Sequence, residues 1–172
     1  NEDPSLLLQE NDELDSIVNV DAEIDPTDTP HYKLMVLLDE ELPNCVRVET
    51  TDALVEKFLS NYGSQKNARK RLAKALYTVS KSRLDLLPMY SRFIAGTDRV
   101  LKDIAPVIVA ELTREFRYFA RNNISKAHLF PHRQMNVKFI AELVKFRVAP
   151  PIVALNCFKV LVLDFTGQNI DI

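Results

Sequence analysis

Seven cations, Lys66, Arg69, Lys70, Arg71, Lys74, Lys81 and Arg83, fall within the 18 residues KNARKRLAKALYTVSKSR. Side chains of this type hold anions, either the phosphates of a nucleic acid or the carboxylates of an acidic partner. Lys66, Lys70 and Lys74 recur every four residues, so a helix would set them along one ridge. Arg114, Arg117 and Arg121 add positive charge further along the chain. Three assignments are open for this cluster: weak, sequence-independent RNA contact; an acidic surface on a partner or in the chain's own N-terminal segment; or a solvated face with no ligand. Phe116 and Phe119, aromatic residues near the second group, share the apolar stripe of their helix. They read as core, not as base-stacking platforms.

The remaining chemistry-bearing residues lack working partners. His128 and His132 are four apart, but Pro131 between them favours a turn and no third ligand is near, so no metal site is expected. The run LLDEEL around Asp39 has adjacent carboxylates at a helix end, with nothing beside them to raise a carboxyl pKa for acid and base work. There is no glycine-rich phosphate loop, nucleophile elbow or acidic calcium loop. The chain is therefore not expected to be an enzyme, and no cofactor or small-molecule substrate is implied.

Helices must position the cations. Tyr32 to Leu42 carries Leu34, Leu37, Leu38 and Leu42 at helical spacing and stops at Pro43 and Asn44. A second helix holds Leu54, Val55, Phe58, Leu59 and Tyr62 up to Gly63, with Thr51 or Asp52 as its cap. Ser64 would cap the third, which buries Ala68, Leu72, Ala75, Leu76 and Val79 and leaves the lysine ridge outside. Asp85 would cap the fourth, with Pro88 in its first turn and Tyr90, Phe93 and Ile94 leading to Gly96. Ile104, Ile108, Leu112, Phe116 and Phe119 stripe the fifth, with Pro106 in its opening turn or at a kink. The sixth runs from Pro131 to Val148 through Val137, Ile140, Leu143 and Val144. The seventh starts at the APP of Ala149 to Pro151 and holds Ile152, Leu155, Phe158, Leu161, Val162 and Phe165.

No segment alternates with period two between hairpin turns, and only three glycines are present, so the fold is expected to be all-α. Seven short-linked helices suit a HEAT-like solenoid of antiparallel pairs, in which each pair buries its inner face on its neighbours. The seventh helix has no polar capping helix after it, so the array reads as truncated at its C-terminal end.

Composition bounds the rest. The 172 residues are 47% hydrophobic and 27% charged, enough for one ordinary core without staples. Cys45 and Cys157 stand far apart and are expected to be reduced and buried. No stretch approaches the ~20 apolar residues of a membrane span, and the N-terminus lacks a signal-peptide layout. The net charge of -2 hides an asymmetry: the first 30 residues hold ten of the 24 acidic side chains and no Lys or Arg, leaving 14 acids against 22 bases, a net of +8, for the remainder. Residues 1–30 read as an acidic flexible linker and residues 31–172 as the helical-repeat domain.

Five stretches in this order carry a family likeness: LPNC at Leu42 to Cys45, NARKRLAKALYTVSKSRLDLLPMYSRF at Asn67 to Phe93, EFRYFAR at Glu115 to Arg121, VKFIAELVKF at Val137 to Phe146, and CFKVLVLDF at Cys157 to Phe165. Together they resemble the middle domain of translation initiation factor 4G, in the form found in the scaffold of nonsense-mediated mRNA decay, and most of all the second of that scaffold's three such domains. The resemblance implies a HEAT-like stack. It also implies a non-catalytic module of RNA surveillance, a spacer and interaction platform in the bridge between the decay helicase and the exon-junction-bound factor. Its implied partners are surveillance proteins and neighbouring middle domains of the same chain, with no membrane, in a cytoplasmic, perinuclear location. The alternative to that reading is an RNA-binding repeat domain that contacts phosphates through the basic ridge.

Overall fold

Residues 29–79, 82–121 and 129–163 are described by the computed structural model, in which the chain divides into two compact units, Asn1–Met35 and Val36–Ile172. Of the first unit, the described part is the opening of helix α1 (Pro30–Val36). Thr29 starts it: its hydroxyl accepts the Tyr32 amide at 3.2 Å and its carbonyl the Lys33 amide at 3.1 Å. Pro30 follows at the position where a missing N–H costs nothing. Most of the expected acidic linker, residues 1–28, lies outside the described residues, as do Lys81 and His128.

The described residues of the second unit form helices joined by short turns, with no strand among them. It opens on a wide turn, Leu37–Glu41 in π-helical form and then Leu42–Asn44 in 3-10 form. Leu37, Leu38 and Leu42 are all buried, the face that their helical spacing leads one to expect, while the helical pitch changes along them. Then follow α2 (Val48–Tyr62), α3 (Lys66–Tyr77), a 3-10 turn Leu84–Leu86, α4 (Leu87–Asp98), α5 (Ile104–Arg121), α6 (Phe130–Lys145) and α7 (Pro151–Leu163).

The helices form two rows. α2 packs on α4 and α4 on α6; α3 packs on α5 and α5 on α7; the rows meet where α4 touches α5, α5 touches α6 and α6 touches α7. This is the solenoid of antiparallel helix pairs: from α4 onward each helix meets its sequence neighbour across the layers, and throughout α2 to α7 each meets its second neighbour along the row. The interior is made by the expected stripes, with Phe58, Phe93, Leu72, Leu76, Ile104, Ile108 and Leu112 buried. The Phe58 and Phe93 rings meet edge to face, 6.4 Å apart, between α2 and α4. Pro106 sits in the first turn of α5, which begins at Ile104.

Several expected helix ends lie elsewhere. α2 starts at Val48, with Arg47 as an extended N-cap without a side-chain cap. The candidate caps are occupied: the Thr51 hydroxyl, like that of its neighbour Thr50, donates back to the Arg47 carbonyl, at 2.8 and 2.9 Å respectively, and Asp52 accepts two bonds from Arg92 of α4 at 2.8 and 2.6 Å. Gln65, not Ser64, precedes α3. Asp85 does not cap α4, because its carboxylate binds Arg83. Gly96 does not end α4, which continues to Asp98. It lies where α4 crosses α2, and a Cβ there would meet the Val55 methyls at 3.1 and 3.3 Å.

α6 stops at Lys145, before the expected Val148. Arg147 takes a left-handed conformation (φ 61°) while Val148 N–H bonds to Leu143 O and Arg147 N–H to Val144 O, each at 2.9 Å. This is a Schellman ending with arginine where glycine is usual. The core register of α6 also differs: Met135, Asn136, Phe139, Ile140 and Leu143 are buried, whereas Val137 and Val144 are half-buried. On α7 only Cys157 is buried, and Ile152, Leu155, Phe158 and Val162 are exposed.

Candidate interaction groove

The basic cluster separates into two kinds of cation. Arg69 bends along α3 and donates from Nη1 to the Gly63 carbonyl and from Nε to Asp103, both at 2.8 Å, so it ties the α2–α3 turn to the start of α5. Arg83 donates to the Pro43 carbonyl at 3.2 Å and grips Asp85, whose carboxyl it holds below the usual range. Both arginines are spent on the fold. Lys66, Lys70 and Lys74 are exposed on α3 and form no ion pair among the described residues. Arg71, also exposed, projects one residue round the helix from Lys70 and has an interaction of its own.

The three lysines edge a groove of about 450 Å³ between α3 and α5. Its floor is apolar: Ala73 and Tyr77 from α3, Ile104, Val107 and Ile108 from α5. Asp103 and Glu111 stand on the far lip, and both are already matched, Asp103 by Arg69 and Glu111 by Arg114. The uncompensated charge of the groove is therefore positive and lies on one lip. Lys66, Lys70, Ala73 and Tyr77 follow one another at helical spacing, so the ridge legible in the sequence continues directly into the floor. Val107 was the other signal, an apolar residue off the buried stripe of its helix and 53% exposed. That α5 faces this ridge is set by tertiary packing alone.

A polar bolt holds the groove wall. Tyr77 hydrogen-bonds to Glu115; burial, then the Glu115 charge and this bond, push its pKa up to about 12. Glu115 also accepts from Asn136 Nδ2 at 2.8 Å, and the same amide group donates to the Leu112 carbonyl at 3.1 Å. Three helices, α3, α5 and α6, are thereby joined. Asn136 Oδ1 is buried without a partner among the described residues.

The remaining candidates are placed as follows. His132 packs its ring against Phe119, centroids 6.3 Å apart. Asp39 and Glu40 are exposed, and Glu41 binds Lys57 at 2.6 and 2.8 Å. Cys45 and Cys157 are free and buried, and burial pushes the Cys157 thiol up to about 11, which keeps it protonated near neutrality. Among the described residues no group of His, Cys, Asp and Glu is arranged to hold a metal, and no helix is long and apolar enough to cross a membrane.

Comparison with other proteins places this arrangement. Residues 40–171 match the MIF4G domain. The chain is 34% identical over 146 residues, 82% of its length, to the human protein Regulator of nonsense transcripts 2. It is 33% identical over 133 residues, 77% of its length, to Regulator of nonsense transcripts UPF2 of Arabidopsis thaliana. A 26% identity over 131 residues, 76% of the chain, relates it to Nonsense-mediated mRNA decay protein 2 of Saccharomyces cerevisiae. In each case the aligned region is 11% of the relative's own length. Two rows of paired helices and a family match across most of the chain agree: the chain belongs to the MIF4G domain family.

Proposed function

We propose that the chain is a non-catalytic scaffold module of nonsense-mediated mRNA decay. The observation that carries the reading is its 34% identity, across 82% of its length, to a protein named Regulator of nonsense transcripts 2. On this reading it acts in the cytoplasm, near the nucleus, as the second of three middle domains in a longer chain. It holds its neighbouring domains and surveillance proteins at a fixed geometry within the bridge between the decay helicase and the exon-junction-bound factor. A solenoid suits such a task, because stacked repeats are rigid along their axis and offer long lateral surfaces. The test replaces the full-length scaffold in cells with a form lacking this domain. Loss of co-purifying surveillance proteins and a longer half-life of a transcript with a premature stop are expected; assembly and decay at the intact level would refute the reading.

A second reading, sequence-independent RNA contact, is favoured by the exposed Lys66, Lys70 and Lys74, which form no ion pair among the described residues. It requires single-stranded RNA to bind at low salt, more weakly as salt rises, and to be lost when Lys70, Arg71 and Lys74 are changed to Glu.

A further inference from the structure

We propose that the α3–α5 groove seats an acidic amphipathic helix of a partner protein. The inference rests on reading the domain as an interaction module and adds the chemistry of what it holds. An apolar floor between two charged lips is the form of a helix-in-groove site, in which apolar anchors enter the groove and charges on the flanks set orientation. Its volume, about 450 Å³, lies within the range of about 300–1,000 Å³ typical of ligand pockets. The charge on the lips selects the partner. Lys66, Lys70 and Lys74 form no ion pair among the described residues and lie along two turns of α3, a span of about 12 Å at 1.5 Å per residue. Carboxylates four residues apart on a helix laid beside α3 would face all three.

The opposite lip needs nothing from a partner, since Asp103 and Glu111 are matched by Arg69 and Arg114. The acidic flank is therefore drawn to one side only, which fixes which way the partner helix is rolled. Nucleic acid fits the floor poorly. The floor holds a single aromatic ring, the half-buried Tyr77, whereas channels for single-stranded nucleic acid line up several rings for successive bases.

The experiment uses the whole chain and three fluorescent probes. The first is a helical peptide of about five turns with leucine on one face and glutamates at every fourth residue on one flank. The second is the same peptide with lysine for each glutamate, and the third is an oligouridine. Two variants accompany the wild type: Lys66, Lys70 and Lys74 all changed to Glu, and Val107→Glu on the exposed floor. Each is checked by its thermal melt, with Ala versions of the same changes held in reserve should either melt early. The acidic peptide should bind, the basic one should not, and each variant should weaken binding about tenfold or more. The proposal is overturned by no binding of the acidic peptide, by binding that survives Val107→Glu, or by oligouridine binding more tightly than the peptide. None of these outcomes bears on domain deletion in cells, so the two readings fail separately.

Discussion

Helices α3 and α7 are nearly equal in length, 12 and 13 residues, and opposite in composition. α3 carries five cations, yet its Ala68, Leu72 and Leu76 are 1%, 0% and 0% exposed. α7 has a single charged residue, Lys159, yet Phe158 is 66% and Leu155 60% exposed. The difference lies in neighbours, not in hydrophobicity. α3 presents one narrow stripe, and α5 together with the π-helical turn covers it; α7 is apolar nearly all round, while its neighbours α5 and α6 take only the Cys157 side. Periodicity tells a helix which face to bury, and a helix without periodicity takes whatever contact the stack provides.

Paired alanine substitutions test this contrast most severely. Phe93→Ala removes a fully buried ring that meets Phe58, and should cost about 3–5 kcal/mol in a denaturant melt. Phe158→Ala removes the same atoms from a ring that is 66% exposed and should change stability by no more than about 0.5 kcal/mol. Similar losses at both sites would mean that α7 has a neighbour in solution that covers its outer face.

The polar bolt sharpens the same comparison at intermediate size, because it fastens α3 where α7 has no counterpart among the described residues. Asn136→Ala leaves the Leu112 carbonyl and Glu115 without their buried donor and should cost about 1–3 kcal/mol. Tyr77 gives the pH signature. Its pKa in the fold, about 12, lies above the ordinary 10.0, so the fold favours the neutral phenol. That contribution is complete below pH 10 and is lost as the pH rises toward 12. Tyr77→Phe should therefore lessen the fall in stability between about pH 10 and about pH 12 in urea melts; an unchanged fall would remove Tyr77 from the bolt.

How much of this was legible follows from which interactions are local. The stripes of α2 to α5 appear in the sequence because each is set by one helix's own period, and Leu54, Phe58, Leu72, Leu76, Ile104, Ile108 and Leu112 are all buried as expected. α6 is less legible because Arg133 and Asn136 sit within its buried face and interrupt the apolar pattern. Helix starts misled because Thr51, Asp52 and Asp85 look like caps but bond elsewhere. Nothing in FRVAP marks Arg147 as the left-handed residue, since only the bonds back to Leu143 and Val144 demand it. At the candidate site the lysine ridge was readable from a spacing of four. The apolar floor was not, because Val107 reaches Tyr77 only through the packing of α5 on α3.

The smallest effects separate cations adjacent in sequence. Arg69 and Lys70 differ by one position, about 100° round the helix, and that rotation gives Arg69 the Gly63 carbonyl and Asp103 while leaving Lys70 in water. Arg69→Ala abandons two charge-assisted bonds, one of them to a half-exposed carboxylate, so the expected loss is about 1 kcal/mol. In a domain of this size that lowers the melting temperature by about 2–4 °C. Lys70→Ala removes no bond and exchanges one good helix former for a better one, so the melting temperature should hold or rise slightly. The acidic-helix probe should respond in the reverse order, weakening with Lys70→Ala more than with Arg69→Ala. If both substitutions lowered stability alike, Lys70 would be a structural cation and the positive lip of the groove would shrink to Lys66 and Lys74.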